Sequence, residues 1–236
     1  MEVTATDVAA LCGSTRNSAA RRYGSVGITD SYMHDDATRI LLATIARIAA
    51  MHDKSIHTIL SLFDGHFVRV SVLLKRSKES ASTWKKNVGY RVRSAPYHFS
   101  EAPEGNYSGP LWTGPIFDAE IAGRMTVDRA IDICFGNESD YPKNWSDFDV
   151  EHSKREIVRT VRHISESAKL LSGEHLLVAI DDLGIAAGIG QIPSMKSIKM
   201  GLEKLGFQMA QCQMPEPMFA TDADWDTVLD VARSAK

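Results

Sequence analysis

The chain has 236 residues, 44% hydrophobic and 24% charged, which is ordinary for a soluble globular protein and enough for one large domain or two small ones; the net charge of −3 does not by itself point to a nucleic-acid binder. No apolar run approaches the length of a transmembrane helix, and the acidic, then polar start does not read as a signal peptide. The cysteines, Cys12, Cys134 and Cys212, are scattered and odd in number, which argues against a disulfide framework and fits a reducing, cytoplasmic setting.

Residues 3–6 are β-branched apart from Ala5 and predict a short strand, with Asp7 at its end and Gly13 marking a turn. A short apolar strand ending in polar residues is the pattern of the carboxyl edge of a parallel sheet, where open α/β folds bind ligands. Residues 25–36 read as a polar loop. Asp36 is placed to cap a helix over 37–51 whose buried stripe is Leu41, Ile45 and Ile48. Strands are predicted over 59–63 and 67–75, joined by a turn at Asp64-Gly65. In the second, Val68, Val70, Val72 and Leu74 face one way and Arg69 and Ser71 the other.

A basic segment follows over 75–93, with Trp84 and Tyr90 interleaved. Residues 66–100 carry eight Lys/Arg against one acid, whereas residues 101–236 carry thirteen against twenty-two. Such a band either supplies salt-sensitive phosphate contacts or is simply a solvated hairpin and loop. Trp84 either packs under a loop or stacks a base. Between residues 90 and 112 there is no cysteine, and His98 alone cannot make a site of three or four ligands, so no zinc is expected. Tyr97, Phe99 and Tyr107 are expected to hold this segment by packing. Residues 109–118, GPLWTGPIFD, predict a rigid connection anchored by Leu111, Trp112, Ile116 and Phe117, with Trp112 read as an anchor between domains ahead of a base-stacking residue.

From residue 118 the pattern is mostly helical: a helix over 118–135, a loop over 137–150 and the longest helix over 151–171. The last has an apolar stripe of Ile157, Val161, Ile164, Ala168 and Leu171. Lys154, Arg155, Arg159, Arg162 and Lys169 lie on or near the other face, which is either solvated or part of an RNA surface. Residues 176–180 predict a short strand or an extended entry to a helix at Asp181 or Asp182. Gly184, Gly188 and Gly190 lack the G-x-G-x-x-G spacing of a nucleotide loop. Ser194 caps a helix with a stripe of Met195, Ile198, Leu202 and Leu205, ended by Gly206. Residues 207–212 are strand-like and 224–232 close the chain as a helix. This order is winged-helix-like.

Several groups of residues share one resemblance. They are Thr4-Ala5-Thr6-Asp7, Leu11-Cys12-Gly13 and Arg22-Tyr23-Gly24, then Arg39, Arg47, Asp53-Lys54 and Phe67-Val68-Arg69-Val70. GPLWTGPIFD follows, and finally Pro193-Ser194, Leu205-Gly206-Phe207 and Thr221-Asp222-Ala223. Together they resemble the tRNA (guanine-26, N2)-dimethyltransferase family over nearly the whole chain. Departures are the absence of the family's common four-cysteine zinc ribbon, Ala220 where a basic residue is usual, and Pro217 where glycine is common.

The resemblance implies an α/β fold. Residues 1–90 would be the C-terminal part of a class I (Rossmann-like) methyltransferase sheet, with residues 3–6 as about its fifth strand of seven. Residues 91–117 would connect it, without zinc ligands, to an α+β, winged-helix-like, tRNA-binding domain over 118–236. The implied activity is S-adenosyl-L-methionine-dependent methylation of a guanine N2 in tRNA. That amine is a poor nucleophile, so an acceptor must orient it and take its proton. By resemblance, the acceptor and the donor site precede residue 3. The chain is therefore expected to be a fragment, or one half of a split enzyme that needs an N-terminal methyltransferase half. Thr6, Asp7, Cys12 and Gly13 are expected at the pocket rim, with Cys12 a buried small residue rather than a nucleophile. Arg21, Arg22, Arg69, Lys75, Arg76, Lys85, Lys86, Arg91 and Arg93 are expected to contact tRNA. The alternatives are a non-catalytic tRNA-binding module and a winged-helix DNA binder over 151–226, which the net acidity of that region disfavours.

Overall fold

The computed structural model describes residues 1–103, 105–173 and 175–235. β1 (Glu2–Ala5) leads through one turn of helix, α1 (Val8–Leu11), into α2 (Arg16–Tyr23) and α3 (Met33–Ala50). β2 (Lys54–Asp64) and β3 (Phe67–Arg76) form the expected antiparallel hairpin, and the sheet order is β1-β3-β2. β1 runs antiparallel to β3, with Val3 opposite Val70 and Ala5 opposite Val68. The parallel neighbour expected for it is not among the described residues; its other edge bears no strand there. Alternation on β3 buries Val68, Val70 and Val72. The turn is Gly65-His66, one residue later than predicted, because Asp64 still pairs with Phe67 and Gly65 takes the positive φ of 45°.

α3 departs most from its expected single stripe. Every residue from Asp35 to Ala46 is buried, whereas Ile48 is 48% exposed. The reason lies downstream. α4 (Lys78–Ser82) and a 3-10 turn lead to β4 (Val88–Val92), β5 (Phe99–Ser100) and β6 (Tyr107–Trp112), a second sheet of order β5-β4-β6. α3 packs against both β2–β3 and β6, so it has no solvent face there. Leu111, Trp112, Ile116 and Phe117 enter the same core as Ile40, Leu42 and Phe63, and the Trp112 indole donates to the Pro115 carbonyl at 3.0 Å. The segment between 91 and 117 is thus folded onto α3 as part of a sheet rather than strung as a bare connection. The α3 start also differs: the helix begins at Met33, and Asp36 is not its cap but a buried carboxylate.

The remaining elements are α5 (Ala119–Gly123), α6 (Val127–Phe135), α7 (Asp147–Leu171), β7 (Leu176–Ala179), α8 (Ile180–Ala187), α9 (Met195–Lys204), β8 (Met209–Gln211), β9 (Met218–Thr221) and α10 (Trp225–Ser234). The helix predicted over 118–135 is two helices, because Thr126 is extended and its side chain caps α6 at Arg129. α7 starts before the predicted 151, where Ser146 and Asp149 form a reciprocal capping box. Gly188 ends α8 in the left-handed region, a helix stop and not a phosphate loop. β7, β9 and β8 form an antiparallel sheet in that order, against which Leu183, Ile198, Leu202 and Val228 pack. Tyr32, buried among Leu177, Ala210 and Met218, joins this part to α3, its hydroxyl accepting from the Ala179 amide at 3.1 Å. The Gln213 side-chain amide donates to the Phe63 carbonyl at 2.8 Å, which ties the C-terminal part to the hairpin tip. Among the described residues no helix is long and apolar enough to cross a membrane.

Candidate nucleic-acid interface

The end of β1 is shaped by a close backbone crossing. Gly13, at φ +88°, lies against Gly27, and a Cβ on Gly27 would sit 2.7 Å from the Leu11 carbonyl oxygen and 2.9 Å from the Gly13 nitrogen. Neither neighbour is a side chain that can rotate away. Gly27→Ala is therefore expected to lower stability by about 2 kcal/mol in equilibrium denaturation.

The crossing lies beside the four residues expected at a pocket rim. Thr6 is exposed and Gly13 half-buried. Asp7 receives hydrogen bonds from the Tyr23 hydroxyl and, at 2.9 Å, from Arg22. Burial works to raise its carboxyl, but these donors outweigh it and hold the group below its ordinary value. Asp7 is thus a fixed anion with both oxygens engaged, poorly suited to take a proton. Cys12 is 4% exposed, and burial, with help from Glu216 and Asp36, pushes its thiol up to about 12, which makes it inert. The four residues expected at a pocket rim do not by themselves make a pocket for a nucleoside-sized methyl donor.

The expected RNA-contacting residues divide into separate groups. Arg21, Arg22 and Arg69 are exposed near the carboxyl end of β1, Arg69 donating to the Thr4 hydroxyl at 2.9 Å. Lys75, Arg76, Lys85 and Lys86 are also exposed, but Lys75 lies six residues along β3 from Arg69, about 20 Å at strand rise, at the opposite end of the sheet. Arg93 is exposed just past β4.

Arg91 is a correction. It is 1% exposed, and its guanidinium clasps Asp36 at 2.8 and 2.6 Å and Asp30 at 3.1 and 2.9 Å. Two carboxylates already saturate it, so it cannot hold a phosphate. Nearby, Arg39 donates to Asp35 at 2.7 Å and lies over the Phe99 ring, while the Tyr97 hydroxyl donates to the same Asp35 oxygen at 2.5 Å. The expected packing of Tyr97 and Phe99 is present, joined by two buried arginines that sequence reasoning did not place there. Tyr107 meets Tyr90 edge-on at 5.5 Å. Among the described residues no three His, Cys, Asp or Glu are grouped to hold a metal ion.

A groove of about 870 Å³ lies between α7, α9 and β8. α7 contributes Lys154, Arg155, Arg159 and Arg162, and α9 contributes Lys196 and Lys199, against Glu151 and Glu166. Lys154 pairs with Glu151 at 3.3 Å, Arg159 with Glu156 at 2.5 Å and Lys199 with Glu203 at 4.0 Å. Among the described residues no carboxylate lies within ion-pairing distance of Arg155, Arg162 or Lys196, so three cations face the groove unneutralised. His163 lines it as well; burial, reinforced by Arg159, holds its imidazole below the ordinary value, so it is neutral at pH 7.

Arg159 also borders a second cleft, whose other wall includes Phe63, Asp64 and Gly65. Those residues are the hairpin tip, at the same end of the sheet as the carboxyl end of β1. His34 makes the same link: its ring meets Phe63 with centroids 4.1 Å apart, and its Nδ1 lies 2.5 Å from Glu216, the residue whose charge acts on Cys12. Arg159 thus sets one wall of the basic groove beside the hairpin tip, at the end of the sheet where the four expected rim residues lie, whereas Lys75 and Arg76 lie at the other end of β3. The α7 arginines were visible in sequence as a cationic helix face. Their facing lysines on α9 could not be placed without the fold.

Comparison with known proteins bears on the whole chain. Residues 1–233 match the family described as N2,N2-dimethylguanosine tRNA methyltransferase. The tRNA (guanine(26)-N(2))-dimethyltransferase of Methanosphaera stadtmanae is 33% identical over 135 residues, covering 50% of this chain and 35% of that protein. The Pyrococcus furiosus protein of the same description is 34% identical over 131 residues, covering 52% and 34%. Among solved structures, Trm1 from Pyrococcus horikoshii with S-adenosyl-L-methionine superimposes with a TM-score of 0.76 at 24% identity, over 98% of this chain and 58% of that one, a likeness of fold. The chain spans about a third of the length of the curated relatives it matches. With the family match running over almost every residue, the chain belongs to the N2,N2-dimethylguanosine tRNA methyltransferase family.

Proposed function

We propose that this chain is the RNA-holding part of an S-adenosyl-L-methionine-dependent tRNA guanine-N2 methyltransferase. The observation that carries the proposal is the basic groove of α7 and α9, whose Arg159 also borders the hairpin tip, at the end of the sheet where Thr6, Asp7, Cys12 and Gly13 lie. Phosphates held in the groove would bring the adjoining nucleotides to that rim. Residues 1–90 are then the end of the methyltransferase domain, 91–117 its link, and 118–236 the tRNA-binding domain. The element order α7-β7-α8-α9-β8-β9, with strand order β7-β9-β8, supports a winged-helix-like description of that domain. Free cysteines suit a cytoplasmic setting.

Thr6, Asp7, Cys12 and Gly13 offer no donor pocket and no free base, which leaves the methyl-transfer chemistry to other parts of the enzyme. The unpaired edge of β1 supports a second reading, that an N-terminal methyltransferase half adds its strand there, as an attached segment or a separate subunit. A non-catalytic tRNA-binding module would use the same groove.

Titration of tRNA into the full chain between 50 and 200 mM salt tests the proposal. Groove binding predicts a log–log salt slope of about −3 to −5, corresponding to roughly four to six phosphates. Absence of binding, or binding indifferent to salt, would exclude it.

A further inference from the structure

The face of α7 turned away from the core has a composition that phosphate binding does not require. Phe148, His152, Arg155, Arg159 and Arg162 follow one another at steps of four, three, four and three residues, which keeps them on one stripe of the helix. The core stripe of Val161, Ile164 and Ala168 lies opposite. Phe148 is 71% exposed on the first turn of this well-capped helix. Its ring is nearly parallel to that of His152, the planes 10° apart and the centroids 6.2 Å apart, so the two rings present π-faces of the same orientation. Trp145, 38% exposed, stands just before the helix. The aromatic surface ends where the arginines begin: Phe148 to Arg155 is seven residues, about 10 Å along the helix.

A flat ring pair that leads directly into a row of cations fits one ligand chemistry, a nucleic-acid strand with an unpaired base. The base supplies a π-face to the rings, and the following phosphates supply charge to the arginines. An apolar protein partner would find Arg155, Arg159 and Arg162 on the adjoining part of the stripe, with Glu156 paired to Arg159 and Glu166 one turn further on. We propose that Phe148 and His152 are a stacking platform for one unpaired base of bound RNA, while Arg155, Arg159 and Arg162 hold the phosphates next to it. The platform rests on the groove being an RNA site. It adds to that reading a preference for unpaired over paired RNA.

The test uses the full chain and a twelve-nucleotide single-stranded RNA with one 2-aminopurine, alone and annealed to its complement. Wild-type protein is expected to quench the fluorescence of the single strand and to bind it more tightly than the duplex. Phe148→Ala should abolish the quenching and weaken single-strand binding roughly tenfold, with the salt slope and duplex affinity unchanged. Phe148→Trp should restore both. The side chain is solvent-exposed, so neither variant threatens folding, and a thermal melt checks this. Unchanged quenching and affinity in Phe148→Ala, with salt-dependent binding intact, would overturn the platform and leave the groove reading standing. Loss of salt dependence in the wild type would overturn both.

Discussion

Replacing Arg91 by methionine is expected to lower the free energy of unfolding by about 3–5 kcal/mol at pH 7.5, the cost of breaking a buried ion pair from one side. Four hydrogen bonds of 2.6–3.1 Å end on this guanidinium, and its side chain is 2% exposed. Methionine fills much of the space, so the loss is not one of volume. It arises because Asp36, with a fully buried side chain, and Asp30, with 9% exposure, are left with no cation against them. A domain of this size has about 5–15 kcal/mol in total, so the variant sits near its unfolding limit. Asp36→Asn in the Arg91→Met background is expected to recover part of the loss, since it removes the stranded charge. No recovery would mean that the damage is steric.

The same site makes a signed pH prediction. Burial raises the Asp36 carboxyl from 3.8 to about 6 and outweighs the opposing pull of Arg91. A folded value above the unfolded one means that the native state keeps this proton longer. The group's contribution is thus full below about pH 4 and is lost as pH rises through 6. Without Arg91 the folded value climbs further. The destabilisation by Arg91→Met should therefore be greatest above pH 7 and shrink towards pH 5, where the folded variant takes up a proton on Asp36. Denaturant titrations at pH 5, 6 and 7.5 measure this. A loss that does not change with pH would show that Asp36 is not the stranded group.

Arg91 also shows where sequence reasoning stops. Among eight basic residues in a stretch of thirty-five, nothing local separates it from Lys85 or Arg93. Its partners are 55 and 61 positions away. Asp36 was misread for the same reason: an aspartate before an apolar helix looks like a cap, and the arginine that claims it lies in another sheet. Local signals fared better. The alternation on β3, the Ser194 cap on α9 and the glycine stop at Gly206 depend on neighbours within a few residues, and each took its expected place. α3 falls between these cases. Its apolar residues predicted a helix, but burial on every side depends on a second sheet that periodicity cannot announce. The site divides likewise. The stripe of arginines on α7 is legible at its helical spacing, whereas the groove exists only because α9 and β8 face it.

That division bears on which basic surface holds RNA. Arg155→Gln, Arg159→Gln and Arg162→Gln combined should weaken tRNA binding roughly 10²-fold near 0.1 M salt and flatten the log–log salt slope by about 2–3, one phosphate contact for each charge removed. All three side chains are exposed, and the one ion pair lost, Arg159 with Glu156, is a surface pair of little worth to stability, so melting should hardly change. The matched variant replaces Lys75, Arg76, Lys85 and Lys86 by glutamine. It removes more charge from a stretch far more basic by sequence, yet is expected to change affinity only a few-fold, through the general field of the protein. The difference is one of position. Lys75 and Arg76 lie at the far end of β3, Lys75 about 20 Å from Arg69, and Lys85 and Lys86 follow on the 3-10 turn, while Arg159 of the α7 groove borders the hairpin tip, at the end of the sheet where Asp7 and Cys12 lie. Under the proposed function a substrate must reach the end of β1 where the rim residues are expected, and a grip beside that end can present it there. If the lysine variant lost the greater part of the affinity, RNA would have to approach from the opposite end of the sheet, and the α7 groove would no longer explain how a guanine reaches the rim.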